Sequence, residues 1–183
     1  MAFSSEIQPG VHPEAPGATR GFVLNHCMLR VKDPTVFLAF YTRVMGMQLL
    51  RKLDFPEMKF SLYFLAKADD LPVPEEAGER TAWTFSRQGV LELTHNWGTE
   101  DDASQQYHDG NAKPQGFGHI CFSVPDLAAA VAWFDENGVS YVKRPNQGAM
   151  KNIAFIKDPD GYWIEIVQPD LLQQLGTSRH PPR

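Results

Sequence analysis

The chain has 183 residues, 43% of them hydrophobic, and a formal charge of −5, which allows one domain or two small fused modules and argues against a nucleic-acid partner. Two cysteines, Cys27 and Cys121, make no disulfide framework and are expected as buried free thiols. No stretch reaches the ~20 apolar residues of a membrane span, and the N-terminus lacks the apolar core of a secretory signal, so the expected setting is cytoplasmic.

Residues 1–20, rich in Pro, Gly, Ser and Ala and without periodicity, predict a flexible arm. A first module is expected over 21–98. A strand over 22–31 runs into Asp33-Pro34, a good N-cap followed by a proline suited to a first helical turn. Val36, Phe37, Phe40, Tyr41 and Val44 then give a helix its apolar face, and Gly46 ends it. Strands follow over 48–53 and 59–66. The acidic, proline-containing stretch 68–80 reads as a surface loop. Residues 90–96 form the last strand of the module, and 99–116 read as a polar linker loop.

The second module, expected over 117–169, repeats this order in fewer residues. A strand over 117–124 precedes a helix over 126–137 that Gly138 stops. Strands follow over 140–143, 153–157 and 162–168, and Asp158-Pro-Asp-Gly161 marks the turn before the last. The tail 170–183 is expected to be loose, with one helical turn in DLLQQL.

The two copies match in detail. His26 and His119 each stand five residues before a valine (Val31, Val124) and seven before an aspartate (Asp33, Asp126). Glu92 and Glu165 each lie late in their copy, on a short alternating strand. Alternation puts Leu91 and Leu93 on the face opposite Glu92, and Ile164 and Ile166 opposite Glu165. A lone strand histidine or glutamate is commonly structural or solvated; matched slots in two copies point to a shared site. Two imidazoles and two carboxylates suit a divalent ion such as Zn, Ni, Co, Mn or Fe, with open positions for water or a chelating substrate.

The runs MLRVKDP, FYTRV, DFPEMKFSLYFLA, LELTHNWGTEDD, GFGHI and KDPDGYWIEI together carry a family resemblance. Over about 21–170 the chain resembles glyoxalase I (lactoylglutathione lyase) of the vicinal-oxygen-chelate superfamily, in its long form. The resemblance implies an α+β fold: two βαβββ modules of the glyoxalase/bleomycin-resistance/dioxygenase type forming a concave sheet. It implies isomerisation of the hemithioacetal of methylglyoxal and glutathione to S-lactoylglutathione through an enediolate, with both substrate oxygens at the metal. Carried over residue by residue, the metal set is His26, Glu92, His119 and Glu165. Glu165 is the principal base and Glu92 its counterpart.

The resemblance also implies substrate contacts at Arg30 and Asn96 in the first module and at Lys143 and Met150 in the second. Two positions depart from it. Gln115 stands where long forms carry an arginine, and Ala149 where they carry a basic residue, so Lys113, Arg144 or Lys151 become candidate replacements. His26 stands where eukaryotic long forms have glutamine; histidine there resembles short bacterial enzymes, many of which prefer nickel or cobalt. The long scaffold favours zinc. Phe60, Phe64, Leu65 and Trp163 are candidates for an apolar wall, with a plain core role the expectation for each. The family's usual homodimer exchanges modules, so His26 and Glu92 of one chain would meet His119 and Glu165 of the other; a homodimer with two equivalent sites is expected, although the sequence alone does not distinguish it from one chain's own modules closing together. Competing readings are another metal-dependent epimerase or thiol transferase, an extradiol dioxygenase, and a metal-free binding module.

Overall fold

Period-two alternation shapes the chain into two four-stranded sheets of one topology, in a computed structural model that describes residues 9–12, 14–69 and 72–173. The first sheet comprises β1 (His26–Val31), β2 (Gln48–Phe55), β3 (Phe60–Ala66) and β4 (Val90–Asn96), in the order β1-β4-β3-β2. The second comprises β5 (His119–Ser123), β6 (Tyr141–Lys143), β7 (Ile153–Lys157) and β8 (Trp163–Val167), in the order β5-β8-β7-β6. In each sheet the first strand runs parallel to the last, and the remaining pairs are antiparallel. The expected arm and tail lie partly outside the described residues; within them, Gly17–Thr19 and Pro169–Leu172 form 3-10 turns.

A helix follows the first strand of each module, capped as the sequence predicts. The Asp33 carboxylate accepts from the Thr35 amide at 2.8 Å and opens α1 (Pro34–Ala39). Asp126 accepts from the Ala129 amide and opens α3 (Leu127–Glu136). The helix expected up to Gly46 changes character on the way: Phe40–Val44 is a π turn, closed by the Met45 amide donating to the Phe40 carbonyl.

The reading of 68–80 as a loop is corrected by α2 (Ala77–Ser86). The Glu76 carboxylate caps it by accepting from the Gly78 and Glu79 amides. Its inward residues include the fully buried Thr84 and partly buried Arg80, Trp83 and Arg87. That face is largely polar, so no apolar stripe at helical spacing announced it. Trp83 and Val73 cover a small core of Leu50, Phe64, Ala66, Ala68 and Val90.

One larger core is shared by both modules. Leu29, Val31, Phe37, Tyr41, Leu91 and Leu93 from the first meet Leu127, Phe134, Ile156, Ile164 and Ile166 from the second. Burying each such side chain contributes about 2 kcal/mol. Polar bonds close the joint. The Trp133 indole donates to the Val44 carbonyl, and the Tyr162 hydroxyl donates to the Arg30 carbonyl. The Lys32 amide donates to the Asp160 carboxylate at 2.8 Å. Between the modules, Gly110 (φ +79°) sits so close to Phe117 that a Cβ there would lie 1.6 Å from the Phe117 carbonyl oxygen. Only glycine fits that crossing.

The expected burial of both thiols is also corrected: Cys27 and Cys121 are free and exposed. Both stand on strands at the rim of their sheets, β1 and β5, where no neighbouring strand covers them.

Candidate metal centre

Because Leu91, Leu93, Ile164 and Ile166 fill the shared core, strand alternation turns Glu92 and Glu165 to the other face of each sheet. Parallel pairing then brings the first strand's histidine alongside. His26 Nε2 lies 3.1 Å from Glu92 Oε2, and His119 Nε2 lies 3.4 Å from Glu165 Oε2. Each module therefore holds one imidazole–carboxylate pair. Among the described residues, no three His, Cys, Asp or Glu side chains gather into a group able to hold a metal. The four predicted ligands fall into two half-sites, and one chain's modules do not close them together.

The halves are built differently. Glu92 Oε1 accepts from the Thr94 hydroxyl at 3.0 Å, leaving Oε2 toward His26. His26 Nδ1 lies 2.6 Å from Asn25 Oδ1. The Asn25 amide nitrogen donates to the Thr84 and Arg87 carbonyls at 2.9 and 2.7 Å. Phe64 and Phe85 meet the His26 ring edge-on, at centroid distances of 5.8 and 6.0 Å. In the second half, Phe155 meets the His119 ring at 5.3 Å. Cys121 lies opposite Glu165 across the ladder; partial desolvation and the neighbouring carboxylate push its thiol up to about 12, so it stays protonated.

The donor chemistry fits a divalent ion. Carbonyls only accept, so the Asn25 amide nitrogen is fixed on Thr84 and Arg87, and its oxygen accepts from His26 Nδ1. In that neutral tautomer, Nε2 presents a lone pair to a carboxylate oxygen 3.1 Å away. Two acceptors so close call for a cation between them or a second ring proton. Imidazole nitrogen plus carboxylate oxygen, twice over, is a common donor set for zinc, nickel or cobalt.

The expected substrate contacts spread around these pairs. Arg30 lies on β1 four residues past His26, in a cavity of about 330 Å³ with Tyr107, His108 and Tyr162. Asn96 ends β4 on the Glu92 face, opposite Phe60, which stacks on Phe55. Lys143 donates to the Ile153 carbonyl at 2.6 Å, and burial lowers its pKa. Ala149 and Met150 are exposed in the turn after β6, and Gln115 is exposed in the linker. Two candidate replacements for the missing cations are committed elsewhere. Arg144 pairs with Asp135 through two bonds of 3.0 and 2.7 Å, and Lys151 donates to the Asn146 carbonyl.

Of the candidate wall, Phe64 faces His26 and Trp163 sits beside His119 in the β5–β8 ladder. Leu65 belongs to the shared core on the opposite face. The sequence reading missed Asn25 and Phe85. An amide beside a histidine carries no signal alone, and Phe85 lies on α2, which no apolar stripe announces.

Comparison with known proteins places the chain in a family. Residues 23–166 match the model of the Glyoxalase/Bleomycin resistance protein/Dioxygenase superfamily. A lactoylglutathione lyase of Pseudomonas aeruginosa is 58% identical over 176 residues, covering 96% of this chain and 99% of that protein. The glyoxalase I of Saccharomyces cerevisiae is 47% identical over 164 residues, covering 87% of this chain but 47% of that protein. Among solved structures, the trypanothione-dependent glyoxalase I of Leishmania major superposes with a TM-score of 0.61 at 30% identity, covering 85% of this chain and 92% of that one. The glyoxalase I of Zea mays gives 0.59 at 29% identity, over 80% of this chain and 44% of that one. The chain belongs to the Glyoxalase/Bleomycin resistance protein/Dioxygenase superfamily, and within it to the lactoylglutathione lyase (glyoxalase I) family.

Proposed function

We propose that the chain isomerises the hemithioacetal of methylglyoxal and glutathione to S-lactoylglutathione. We propose further that it does so as a homodimer in which each site joins His26 and Glu92 of one chain to His119 and Glu165 of the partner subunit. The observation that carries this reading is the division of four matched ligands into two pairs, each too small to be a metal site.

Two further observations support a second copy. Phe22 and Leu24 are 79% and 81% exposed, and Phe117 is 57% exposed, leaving apolar side chains beside β1 and β5 without cover. The yeast and maize relatives are about twice the matched length, with room for a second equivalent of this chain.

When bound, a divalent metal supplies a Lewis acid for the two adjacent substrate oxygens. The chain's own residues move the proton. Glu165 takes it from the carbon bearing sulfur and hydroxyl and returns it to the neighbouring carbonyl carbon. One C–H bond breaks and another forms, the hydroxyl proton passes from the first oxygen to the second, and the product is the thioester of a hydroxy acid with no atom gained or lost. Glu165 suits this task because, among the described residues, no hydroxyl ties down its carboxylate as Thr94 ties down Glu92. Glu92 is held by the Thr94 hydroxyl and acts as the steadier partner. Phe64, Phe85 and Trp163 stand next to the histidines and keep water from the reacting carbons.

Zinc is our first choice of metal, on the strength of the long insertion that carries α2; the imidazole at position 26 equally suits nickel or cobalt. Exposed free thiols fit a reducing compartment such as the cytoplasm. Among the described residues no helix is long and apolar enough to cross a membrane.

The test strips the protein with chelator, restores Zn, Ni, Co, Mn or Mg singly, and follows thioester formation from methylglyoxal and glutathione. Activity with one or more metals is the expected result. Stoichiometric metal binding without thioester formation would overturn the proposed reaction.

A further inference from the structure

We infer that Asn25 is the positioning residue of the first half-site: it sets the His26 tautomer and ties that ring to the end of α2. The inference deepens the metal-dependent reading above and rests on it.

The Asn25 side chain has its polar groups committed. Its amide nitrogen donates to the carbonyls of Thr84 and Arg87. Thr84 lies in the last turn of α2 and Arg87 follows it, where helix carbonyls have no partner within the helix. These bonds leave the amide one orientation. Its oxygen therefore accepts from His26 Nδ1 at 2.6 Å. The ring is held laterally by Phe64 from β3 and Phe85 from α2. Position, tilt and tautomer of one imidazole are thus fixed by three elements, and Nε2 is the nitrogen left for a cation. An orienting hydrogen bond on the far nitrogen of a metal-binding histidine raises its donor strength and removes rotational freedom.

The second copy has no such device. Gly118 precedes His119 and has no side chain to offer. The His119 side chain is 40% exposed against 31% for His26, and Glu165 is 20% exposed against 12% for Glu92. The two halves are therefore unequal: a preorganised half in the first module and a looser one in the second. The insertion found only in the first module supplies α2, and α2 supplies Phe85 and the carbonyls that fix Asn25. Its role in the site is to stiffen the first ligand pair.

The experiment compares wild type, Asn25→Ala and Asn25→Asp. Ring-nitrogen NMR shifts of His26 are read in metal-free protein, and zinc affinity is measured by chelator competition. Wild type should show the Nδ1–H tautomer. Asn25→Ala should give a tautomer mixture and about 10- to 100-fold weaker zinc binding, the range for such outer partners. Asn25→Asp keeps an acceptor for His26 but loses both donors to α2, so it should restore the tautomer and recover only part of the affinity. A wild-type tautomer and affinity in Asn25→Ala would overturn the inference. So would equal losses in both variants, since the tie to α2 would then be the whole effect. If wild type binds no divalent metal, the proposed function fails, while the tautomer still decides the role of Asn25.

Discussion

The Tyr41 hydroxyl donates to the Asp158 carboxylate at 3.1 Å, joining the π turn after α1 to the turn before β8 across the two modules. Tyr41 is fully buried and Asp158 nearly so. The bond lies in the joint through which the modules pack by their helix sides, so both histidine–glutamate pairs are left on the outer faces of their sheets. A buried polar bond helps fix one orientation of that joint.

Asp158 makes this joint sensitive to pH. Burial pushes its carboxyl up to about 7, with the Asp160 charge adding and the Tyr41 hydroxyl and Tyr162 amide opposing. A folded pKa above the unfolded one means the native state binds the extra proton. The group's contribution is therefore fully present below about pH 4 and is lost as pH rises toward 7, a change on the order of a few kcal/mol. Asp158→Asn keeps the side chain's shape and removes the titration. Urea midpoints of wild type and variant, compared from pH 5 to 8, should diverge as pH rises, with the variant the more stable at pH 8. Parallel curves would show that Asp158 does not carry this dependence.

Exchange of half-sites between chains predicts complementation. A chain with His26→Ala and Glu92→Ala lacks the first half, and one with His119→Ala and Glu165→Ala lacks the second. Neither alone should be active. Co-expressed and isolated as a heterodimer, they should regain one site of two. If sites are built within each chain, the heterodimer stays inactive.

Glu165→Gln should lower kcat by about 10²- to 10⁴-fold, the usual worth of a positioned acid–base group. The side chain lies on the face of β8 turned away from the shared core, so the thermal midpoint should stay near that of wild type. A near-normal kcat would remove Glu165 as the base.

Gln115 is exposed in the linker, and its amide reaches only the Asn111 carbonyl at 3.5 Å. With Arg144 bound to Asp135 and Lys151 to Asn146, neither is free to replace the cation missing there. Gln115→Arg should lower KM for the glutathione adduct by about 10-fold or more, since a charge-assisted bond to carboxylate contributes about 1.5–3 kcal/mol. An unchanged KM would mean that another group already meets that carboxylate.

Much of this molecule is local and therefore readable from its residues. Helix caps at Asp33 and Asp126 and the turn at Asp158-Pro-Asp-Gly161 depend on neighbours a few residues away. The same holds for strand alternation around Glu92 and Glu165, and it assigned both carboxylates to faces away from the core. Duplication did the rest, because two copies of one pattern mark the histidines and glutamates as matched pairs.

What stayed hidden depends on distant partners. α2 has no apolar stripe: its inner face is built on Thr84, Arg80 and Arg87, and a polar face becomes interior only where β2, β3 and Asn25 supply contacts. Cys27 and Cys121 look like core residues in the sequence, yet their strands end at sheet rims. The sequence by itself singled out four residues as one candidate set, since alternation and repetition are properties of the chain. Only the tertiary structure decided that the two pairs stand apart in this chain, because a core and its polar bonds join the modules through their helix faces and leave each pair on a surface of its own.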